Sequence, residues 1–362
     1  MTTEPIYFDA RYIRVDHHDG ISRYSAGLIW ALHARTKVVA IISDKRQLAK
    51  LPLGIAHVQI SSPTSWLEPF VAFGLNRLGA KVVYSPMQTI GSIGRKFKLV
   101  LTLHDLIYYR HPAPPRGLPA LIRLGWRLYH LSYLPQRLAL NRADAVATVS
   151  ETTAELMRQH RLTKRHIQVV YNAAGNLSEQ YEHKPPAQRP RGSQNLVYMG
   201  SFMDYKNVEA LILAMAQLPE YTLNLLSAIT PDRKAQLEQL VSPAGGDVVF
   251  HGGVSEAKYH ELLDGAVALV SASLDEGFGI PLVEAMARGI PVAVSDIPIF
   301  KEIGANAANY FDPQNPKSIA QAIRTLESNS AWLESSKRSY ERAKTFSWNE
   351  SAKSLLDLLG QL

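Results

Sequence analysis

The chain has no cysteine among its 362 residues. This absence excludes disulfides, cysteine-ligated zinc, iron–sulfur clusters and thiol nucleophiles together. There is also no uninterrupted run of roughly 18 apolar residues, which a membrane-spanning helix requires. The first residues, Met1 to Asp9, lack the basic and apolar segments of a secretory signal. The sequence therefore predicts a cytoplasmic protein that does not cross a bilayer, although it could lie on the inner face of one.

Acidic residues are scarce in the first half of the chain. Residues 1–180 contain 23 Lys and Arg against 11 Asp and Glu, whereas residues 181–362 contain 16 against 21. The halves carry +12 and −5, so the overall +7 indicates an anionic partner that the first half meets. A nucleic acid is one such partner. The basic residues show no RNA-binding signature and the second half is net acidic, so we expect no nucleic acid.

The composition is that of an ordinary globular protein, 46% apolar and 20% charged, and the length predicts two domains. Short apolar runs alternate with helical patterns in both halves, which is typical of βαβ units. The predicted fold class is therefore α/β, with two doubly wound, Rossmann-like domains and a cleft between the carboxyl ends of their sheets. The strands are predicted at residues 6–8, 37–42, 82–84, 99–103, 145–149, 167–170, 195–199, 222–226, 248–250, 268–270 and 291–294.

The domain boundaries follow from a segment that suits neither a strand nor a helix. Residues 182–194 contain three prolines and several charges without apolar periodicity, so they are predicted to form a linker. The N-terminal domain is predicted at residues 1–181 and the C-terminal domain at 195–345. Residues 346–362 are expected to form a helix that packs back on the N-terminal domain.

The strongest motif runs from Glu276 through Gly-Phe-Gly-Ile-Pro-Leu-Val to Glu284. It follows a predicted strand and leads into a helix, and Gly277 and Gly279 allow backbone N–H groups to approach an anion closely at the helix start. The two carboxylates would repel a phosphate but suit hydroxyl groups. A carboxylate on each side of a phosphate cradle matches a nucleotide sugar, with its sugar, diphosphate and ribose. An ordinary connecting turn followed by a solvated Glu284 is the alternative interpretation.

This motif resembles the Glu-x7-Glu signature of the retaining glycosyltransferases of family 4, the glycosyl transferases group 1, which have the GT-B fold. The resemblance extends from Gly20 to Trp348. It implies that the C-terminal domain holds a nucleotide-sugar donor and that the N-terminal domain holds the acceptor. It also implies that Glu276 binds hydroxyls of the donor sugar and Glu284 binds the ribose. The diphosphate is expected against Gly277, Phe278, Gly279 and Ile280.

Lys206 follows a predicted strand and lies near a predicted helix start, an unfavourable place for a cation unless an anion is also present. We interpret it as the group that neutralises the departing diphosphate; a solvated surface lysine is the alternative. The family often has an arginine just after the preceding glycine or just before the lysine. Here Ser201 and Tyr205 occupy those places. Ser201 is predicted to bind the donor, and Arg23 of the first half is a candidate substitute for the missing arginine.

The segment Asp19-Gly-Ile-Ser-Arg-Tyr24 falls between the first strand and the first helix, where Rossmann-type folds approach phosphate. It resembles a glycine-rich loop of the family, and Gly20 and Arg23 are predicted to face the donor. The preceding Asp16-His17-His18 could suggest a metal site, but consecutive loop residues rarely converge on one ion. We interpret it as a solvated loop.

His104 follows the predicted strand 99–103. A lone histidine is more often structural, but the family has a histidine here that contacts the donor sugar near the reacting carbon, so His104 joins Glu276 and Lys206 as a predicted catalytic residue. The chain contains no Asp-x-Asp motif, which predicts a reaction without an obligatory metal or other cofactor. The turn after strand 248–250 is expected beside the nucleobase, through His251, Gly252 and Val254.

Between Asp105 and Asp144 the sequence has no acidic residue and six arginines. A helix is predicted between Pro119 and Pro135, with Arg123 and Arg127 on one side and leucines across from them. With Arg116, these arginines are predicted to meet the acceptor or an anionic membrane surface. A solvated helix face with an apolar side against the core is an equally good interpretation.

The predicted function is a retaining, metal-independent glycosyltransferase that moves a hexose to a glycan or a lipid-linked cell-envelope acceptor. The resemblance alone suggests mannose from GDP-mannose. The alternatives are another GT-B enzyme, such as a nucleotide-sugar epimerase or a phosphorylase, and a basic nucleic-acid-binding protein.

Overall fold

The computed structural model describes residues 4–15, 19–114, 119–175, 185–190, 192 and 194–362. The chain divides into two compact units. Unit 1 comprises Met1–Gln180 and Phe346–Leu362, and unit 2 comprises Tyr181–Thr345. In the described ranges no helix is both long and apolar enough to cross a membrane.

Unit 1 is built on a parallel sheet. Its described strands are β1 (Ile6–Asp9), β2 (Val38–Ile42), β3 (Ala56–Gln59), β4 (Val82–Ser85), β5 (Lys98–Leu103), β6 (Ala145–Thr148) and β7 (His166–Val169). The helices between them are α1 (Gly20–His33), α2 (Val71–Arg77), α3 (Ile107–Arg110), α4 (Ala120–His130), α5 (Leu134–Leu140) and α6 (Glu151–Gln159). The strand order is β3-β2-β1-β4-β5-β6-β7, so the direction of winding reverses between β1 and β4.

Unit 2 repeats this plan. Its described strands are β8 (Asn195–Tyr198), β9 (Thr222–Leu225), β10 (Asp247–Phe250), β11 (Ala268–Ser271), β12 (Val292–Ser295) and β13 (Asn309–Phe311). Its helices are α7 (Val208–Ala214), α8 (Pro231–Glu238), α9 (Glu256–Asp264), α10 (Ile280–Ala287), α11 (Pro298–Gly304), α12 (Pro316–Arg324) and α13 (Asn329–Ala343). The order β10-β9-β8-β11-β12-β13 reverses between β8 and β11.

The α/β class and the two Rossmann-like parallel sheets predicted from the sequence are confirmed. The predicted strands agree with the observed ones to within one or two residues because their apolar runs are buried, as the fully buried β1, β6, β11 and β12 illustrate. The sequence analysis missed β3 and β13. Most of β3 is exposed at the edge of its sheet, so it lacks the apolar run that marks a buried strand.

The C-terminal helix α14 (Trp348–Gly360) belongs to unit 1 and packs against α1. A Cβ atom at Gly27 would lie 2.2 Å from the indole of Trp348, so only glycine lets the two helices approach this closely. The Trp348 indole N–H donates to the carbonyl of Gly175 (2.8 Å), and the Ser351 hydroxyl donates to the carbonyl of Tyr171 (2.7 Å).

The described part of the predicted 182–194 linker is attached to unit 2. Pro185 and Pro186 lie against Gly289, and the Arg189 guanidinium donates to the carbonyl of Leu326 (3.2 Å). These contacts explain why unit 2 begins at residue 181, before the segment that the sequence marks as a linker. These contacts are made by two prolines and an arginine, so a search for apolar periodicity in the sequence does not detect them.

Candidate functional site

The candidate site of unit 2 lies where β8 and β11 end. These strands are neighbours, and the winding of the sheet reverses between them. In open α/β sheets, ligands bind outside the carboxyl ends of the strands at such a switch point. The segment after β8 leads to Lys206, and the segment after β11 leads to Glu276. A backbone hydrogen bond from Leu274 N–H to the Tyr205 carbonyl (2.8 Å) joins the two segments.

Lys206 and Glu276 contact each other directly. The Lys206 ammonium donates to Oε1 of Glu276, which also accepts from the Ser273 hydroxyl at 3.0 Å. Both side chains are only 14% exposed, so this pair is largely removed from solvent. The sequence analysis assigns Lys206 to a diphosphate and Glu276 to sugar hydroxyls, and the structure brings these two groups to one place.

Lys206 ends a short 3-10 turn that precedes α7. Its ammonium lies 5.3 Å from the centre of the Tyr205 ring, so the residue that replaces a family arginine supplies a cation–π contact in place of a second positive charge. At the other replaced position, Ser201 is exposed and its carbonyl accepts from the Tyr198 hydroxyl at 2.6 Å. This bond shapes the turn after β8 through the backbone of Ser201.

The glycine-rich turn before α10 is formed as the motif predicts. Gly279 precedes the first helical residue, Ile280, with a φ of +92°, a conformation that residues with a Cβ rarely adopt. A Cβ there would also lie 3.0 Å from the Phe300 ring. Gly277 and Phe278 are buried beside it. The residues from Gly277 to the helix start at Ile280 follow Glu276 directly in the chain, so this turn and the positive end of α10 lie next to Glu276 in sequence.

Glu284 lies one turn into α10 and is buried. Its Oε2 accepts from the hydroxyl of Tyr259 on α9 at 2.9 Å. Tyr259 is also buried, and the sequence analysis did not identify it. No local pattern could have done so, because the contact joins residues 25 positions apart on different helices.

The turn after β10 lies at the same carboxyl edge. The His251 Nε2 donates to the side-chain carbonyl of Asn224 on β9 (3.0 Å), and burial lowers the pKa of this histidine. Gly252 is exposed, and Val254 is half-buried. The His251 ring is thus engaged with the sheet, and the predicted contact of this turn with a nucleobase stays a prediction.

In unit 1 the predicted glycine loop is the first turn of a helix. The Asp19 carboxylate caps α1 by accepting from the Ser22 N–H (2.8 Å), so the helix begins at Gly20, inside the segment predicted to precede it. The buried Ser22 hydroxyl accepts from the Arg14 N–H (2.9 Å), which ties this turn to the segment that follows β1. Arg23 is half-buried in this turn. Residues 16–18 lie outside the described residues.

His104 follows β5 and is half-buried. Its Nε2 lies 2.7 Å from the Pro86 carbonyl, which can only accept, so Nε2 carries the proton and Nδ1 is the acceptor when the ring is neutral. Burial lowers the pKa of His104 below its usual 6.5, which favours that neutral ring. The Tyr24 ring meets the imidazole edge-on, with centroids 5.1 Å apart.

Three hydroxyl groups behind His104 form a buried chain that the sequence analysis missed. The Tyr24 and Tyr84 oxygens are 2.6 Å apart, and the Tyr84 and Thr102 oxygens are 2.7 Å apart. The Thr102 hydroxyl also reaches the carbonyl of Ser85 at 2.9 Å. This chain fixes the orientation of the Tyr24 ring, which in turn packs against His104.

The helix predicted between Pro119 and Pro135 is present as α4. The helix α4 ends at His130, and Pro135 lies in the first turn of the separate helix α5. The leucines of α4 are exposed, so the alternative interpretation, in which they pack against the core, is wrong. Arg123 and Arg127 are exposed on the same helix, and Arg116 lies outside the described residues. Among the residues described, no group of three or more His, Asp or Glu side chains could hold a metal ion.

Each of the two units matches a known protein family. The family model described as Glycosyltransferase Family 4 matches residues 18–174, and the model described as Glycosyl transferases group 1 matches residues 179–346. The O-antigen chain mannosyltransferase RfbU of Salmonella typhimurium is 30% identical over 330 residues, which cover 85% of this chain and 87% of that protein.

Two solved structures resemble the whole chain. Sucrose-phosphate synthase from Thermosynechococcus elongatus has a TM-score of 0.74 and 20% identity, and the match covers 99% of this chain and 98% of that one. HepE from Anabaena, solved with UDP and glucose, has a TM-score of 0.72 and 19% identity, covering 99% of this chain and 100% of that one. Because the two identities are only 20% and 19%, these matches establish a similarity of fold alone.

Proposed function

The chain belongs to the group 1 glycosyltransferases of family 4, with their GT-B fold, and we propose that it transfers mannose from GDP-mannose to a cell-envelope acceptor. The acceptor is a glycan or a lipid-linked glycan, the anomeric configuration is retained, and no metal is obligatory. The observation that carries the proposal is the arrangement of Lys206, Glu276 and the α10 turn at the switch point of unit 2.

Each part of a nucleotide sugar has a matching group in this arrangement. Glu276 is an acceptor for sugar hydroxyls, and Lys206 with the first turn of α10 supplies positive charge for the diphosphate. The buried Glu284 lies farther along the same helix and suits the ribose hydroxyls, with Tyr259 holding its carboxylate in place. Because Lys206 pairs with Glu276, donor binding has to separate the two charges and give each a new partner.

The proposed reaction needs no separate carboxylate base. The bond between the anomeric carbon and the donor phosphate oxygen breaks, and a bond forms on the same face between that carbon and the acceptor hydroxyl oxygen. The proton of that hydroxyl passes to the departing phosphate oxygen. The charge that develops on the diphosphate is stabilised by Lys206 and the backbone amides from Gly277 to Ile280. His104 keeps the role implied by the family resemblance, contact with the donor sugar.

The identity of the sugar is supported by a relative and not by geometry. RfbU is described as a mannosyltransferase, and it matches most of this chain. HepE binds UDP, but its 19% identity carries only the fold. The cytoplasmic, peripheral location is likewise part of the proposal, since it follows from the cell-envelope acceptor.

A thermal-shift screen against GDP, UDP, ADP and dTDP sugars tests the donor. A ligand at 100 times its Kd stabilises the native state by about 2.7 kcal/mol, so the true donor should raise Tm clearly. We expect GDP-mannose to give the largest shift and Lys206→Met to reduce it. A larger shift with a UDP sugar would contradict the GDP assignment.

Lys344→Met is a matched control for that variant. Lys344 also pairs with a glutamate, Glu341 at 2.7 Å, and also lies over a tyrosine ring, that of Tyr340 at 4.7 Å, but it is exposed near the end of α13. It should leave the donor shift unchanged.

Product analysis tests the reaction itself. Transfer to an acceptor with an unchanged anomeric configuration by NMR, at the same rate after chelation of divalent metals, is the expected result. Conversion of the donor without acceptor would instead indicate an epimerase, and inversion or loss of activity on chelation would overturn the corresponding part of the proposal.

A further inference from the structure

The helices α4 and α5 present an apolar surface to solvent that the proposed reaction does not explain. We call it the leucine stripe. Its members are between 54% and 81% exposed. They are Leu121, Leu124, Leu128, Leu131, Leu134 and Leu138. Single exposed leucines are common on proteins, but a contiguous set of this size marks a surface that something else covers.

The part of the stripe on α4 is one face of that helix, and the opposite face attaches the helix to unit 1. At 100° per residue, the four leucines from 121 to 131 fall within an arc of about 80°. Trp126, Tyr129 and His130 lie across the helix from them and are half-buried. The ring of Trp126 meets that of Tyr108 edge-on at 4.7 Å, and His130 meets Tyr109 at 5.0 Å. The helix is therefore held by its aromatic face and directs its leucines outward.

Positive charge borders the stripe, and the chain segment that carries the stripe has no acidic residue. Arg123 and Arg127 are exposed on α4, and Arg137 is exposed on α5. From residue 106 to residue 143 the sequence contains no aspartate or glutamate. A helix with exposed leucines and neighbouring arginines has the composition of an interfacial helix, whose apolar face enters the acyl boundary while guanidinium groups contact lipid phosphates.

We propose that the leucine stripe and its bordering arginines form a docking surface for an anionic lipid bilayer. A bilayer offers negative headgroups and an apolar layer side by side, which matches both features of the surface. Self-association through the same surface would bring arginines of two copies together with no acidic residue in the segment to pair with them, so like charges oppose it. The inference goes beyond the proposed function, because lipid binding requires neither the donor nor the acceptor.

Vesicle co-sedimentation without any sugar substrate tests the proposal. We expect the protein to sediment with vesicles of equal parts phosphatidylglycerol and phosphatidylcholine and to bind pure phosphatidylcholine much more weakly. Leu121→Gln, Leu124→Gln and Leu128→Gln combined should weaken partitioning by at least about tenfold, since three side chains lose their burial. Arg123→Gln with Arg127→Gln should also weaken it roughly tenfold or more, at about 1 kcal/mol per charge, with little remaining salt dependence.

Matched variants control for general loss of apolar surface or charge. Leu53, Leu78 and Leu213 are exposed leucines elsewhere in the chain, and Arg77 and Lys81 are exposed cations of unit 1. Their replacement by glutamine should leave vesicle binding unchanged. Every substituted side chain is exposed, so the thermal unfolding of all variants should match that of the native protein.

Three outcomes would overturn the proposal. Equal binding to anionic and neutral vesicles would contradict the role of the arginines, and native binding by the triple leucine variant would contradict that of the stripe. A change in mass by sedimentation equilibrium in the leucine variant, with unchanged vesicle binding, would identify a second copy of the chain as the occupant. Because no sugar is present, failure here leaves the proposed reaction untouched, and failure of transfer leaves the docking surface untouched.

Discussion

Units 1 and 2 share one strand plan but carry different chemistry at the same edge. Both sheets are parallel, and both reverse their winding next to the first strand, between β1 and β4 or between β8 and β11. At this edge unit 2 has an ion pair and a glycine turn, whereas unit 1 has a histidine whose pKa burial lowers and whose neighbour Tyr24 is held by buried hydroxyls. The shared topology sets where a site can form. The loops after each strand set what the site can bind.

The helices that follow the strands differ in the same way. α10 of unit 2 buries most of its residues, and α4 of unit 1 buries none. The turn before α10 is the proposed diphosphate site, so α10 has to be held firmly in the core. In contrast, α4 is attached to unit 1 through its aromatic face, and its leucines remain exposed to solvent. Apolar content therefore indicates burial in unit 2 but not in this part of unit 1.

The largest expected effect is on the transfer rate, when a charged group of the unit 2 site is removed. Glu276→Gln keeps the shape of the side chain and removes its charge, so transfer should fall roughly 10³-fold or more while the fold is kept. Steady-state kinetics measure the transfer rate, and near-UV circular dichroism shows whether the fold is kept. Glu341→Gln removes the exposed glutamate of the matched pair and should change neither. Near-normal turnover by the Glu276 variant would contradict the assigned site.

Lys206→Met should reduce kcat about 10²-fold, because the leaving diphosphate loses its positive partner. A donor with a better leaving group depends less on that charge, so the loss should shrink when an activated glycosyl donor replaces the nucleotide sugar. To test this, the transfer rate is measured with each of the two donors, in the native protein and in the variant, and the losses are compared. An equal loss with both donors would indicate that Lys206 only holds Glu276 in place.

Gly279→Ala tests the strain of the turn. The left-handed φ and the nearby Phe300 ring predict a loss of about 1–3 kcal/mol in the free energy of unfolding, measured by denaturant titration. In unit 1, Gly74 lies in α2 with open space around its missing side chain, so Gly74→Ala should stabilise the protein by about 0.4–1 kcal/mol. Opposite signs would confirm the contrast, and equal small effects would contradict it.

The smallest expected effect concerns pH and unit 1. Because burial lowers the pKa of His104, the unfolded chain binds more protons than the native one below its usual 6.5. Stability should therefore be full above pH 6.5 and decline as pH falls from there through the lowered pKa. Thermal unfolding between pH 7.5 and pH 5 should show a smaller decline in His104→Gln, which retains an N–H donor for the Pro86 carbonyl. An unchanged decline would assign the titration to other histidines.

Much of the site could be predicted because its chemistry is local. The Glu276 to Glu284 motif specifies a turn and a helix start within nine residues, and Gly279 and Pro281 adopt the expected roles there. Tyr259 and the Tyr84 and Thr102 hydroxyls could not be predicted, because each reaches its partner across separate strands or helices. The start of α1 lies earlier than predicted because a single capping carboxylate, that of Asp19, sets it at Gly20.

By itself the sequence determined the α/β class, the two parallel sheets and the residues of the glycine turn. Apolar runs and turn residues act through neighbours in the chain, so they can be recognised without a structure. Only the tertiary structure decided that Lys206 pairs with Glu276, that Tyr259 holds Glu284 and that the leucines of α4 face solvent. Periodicity shows that a helix has an apolar face, but what that face meets depends on how the helix is attached to the rest of the molecule.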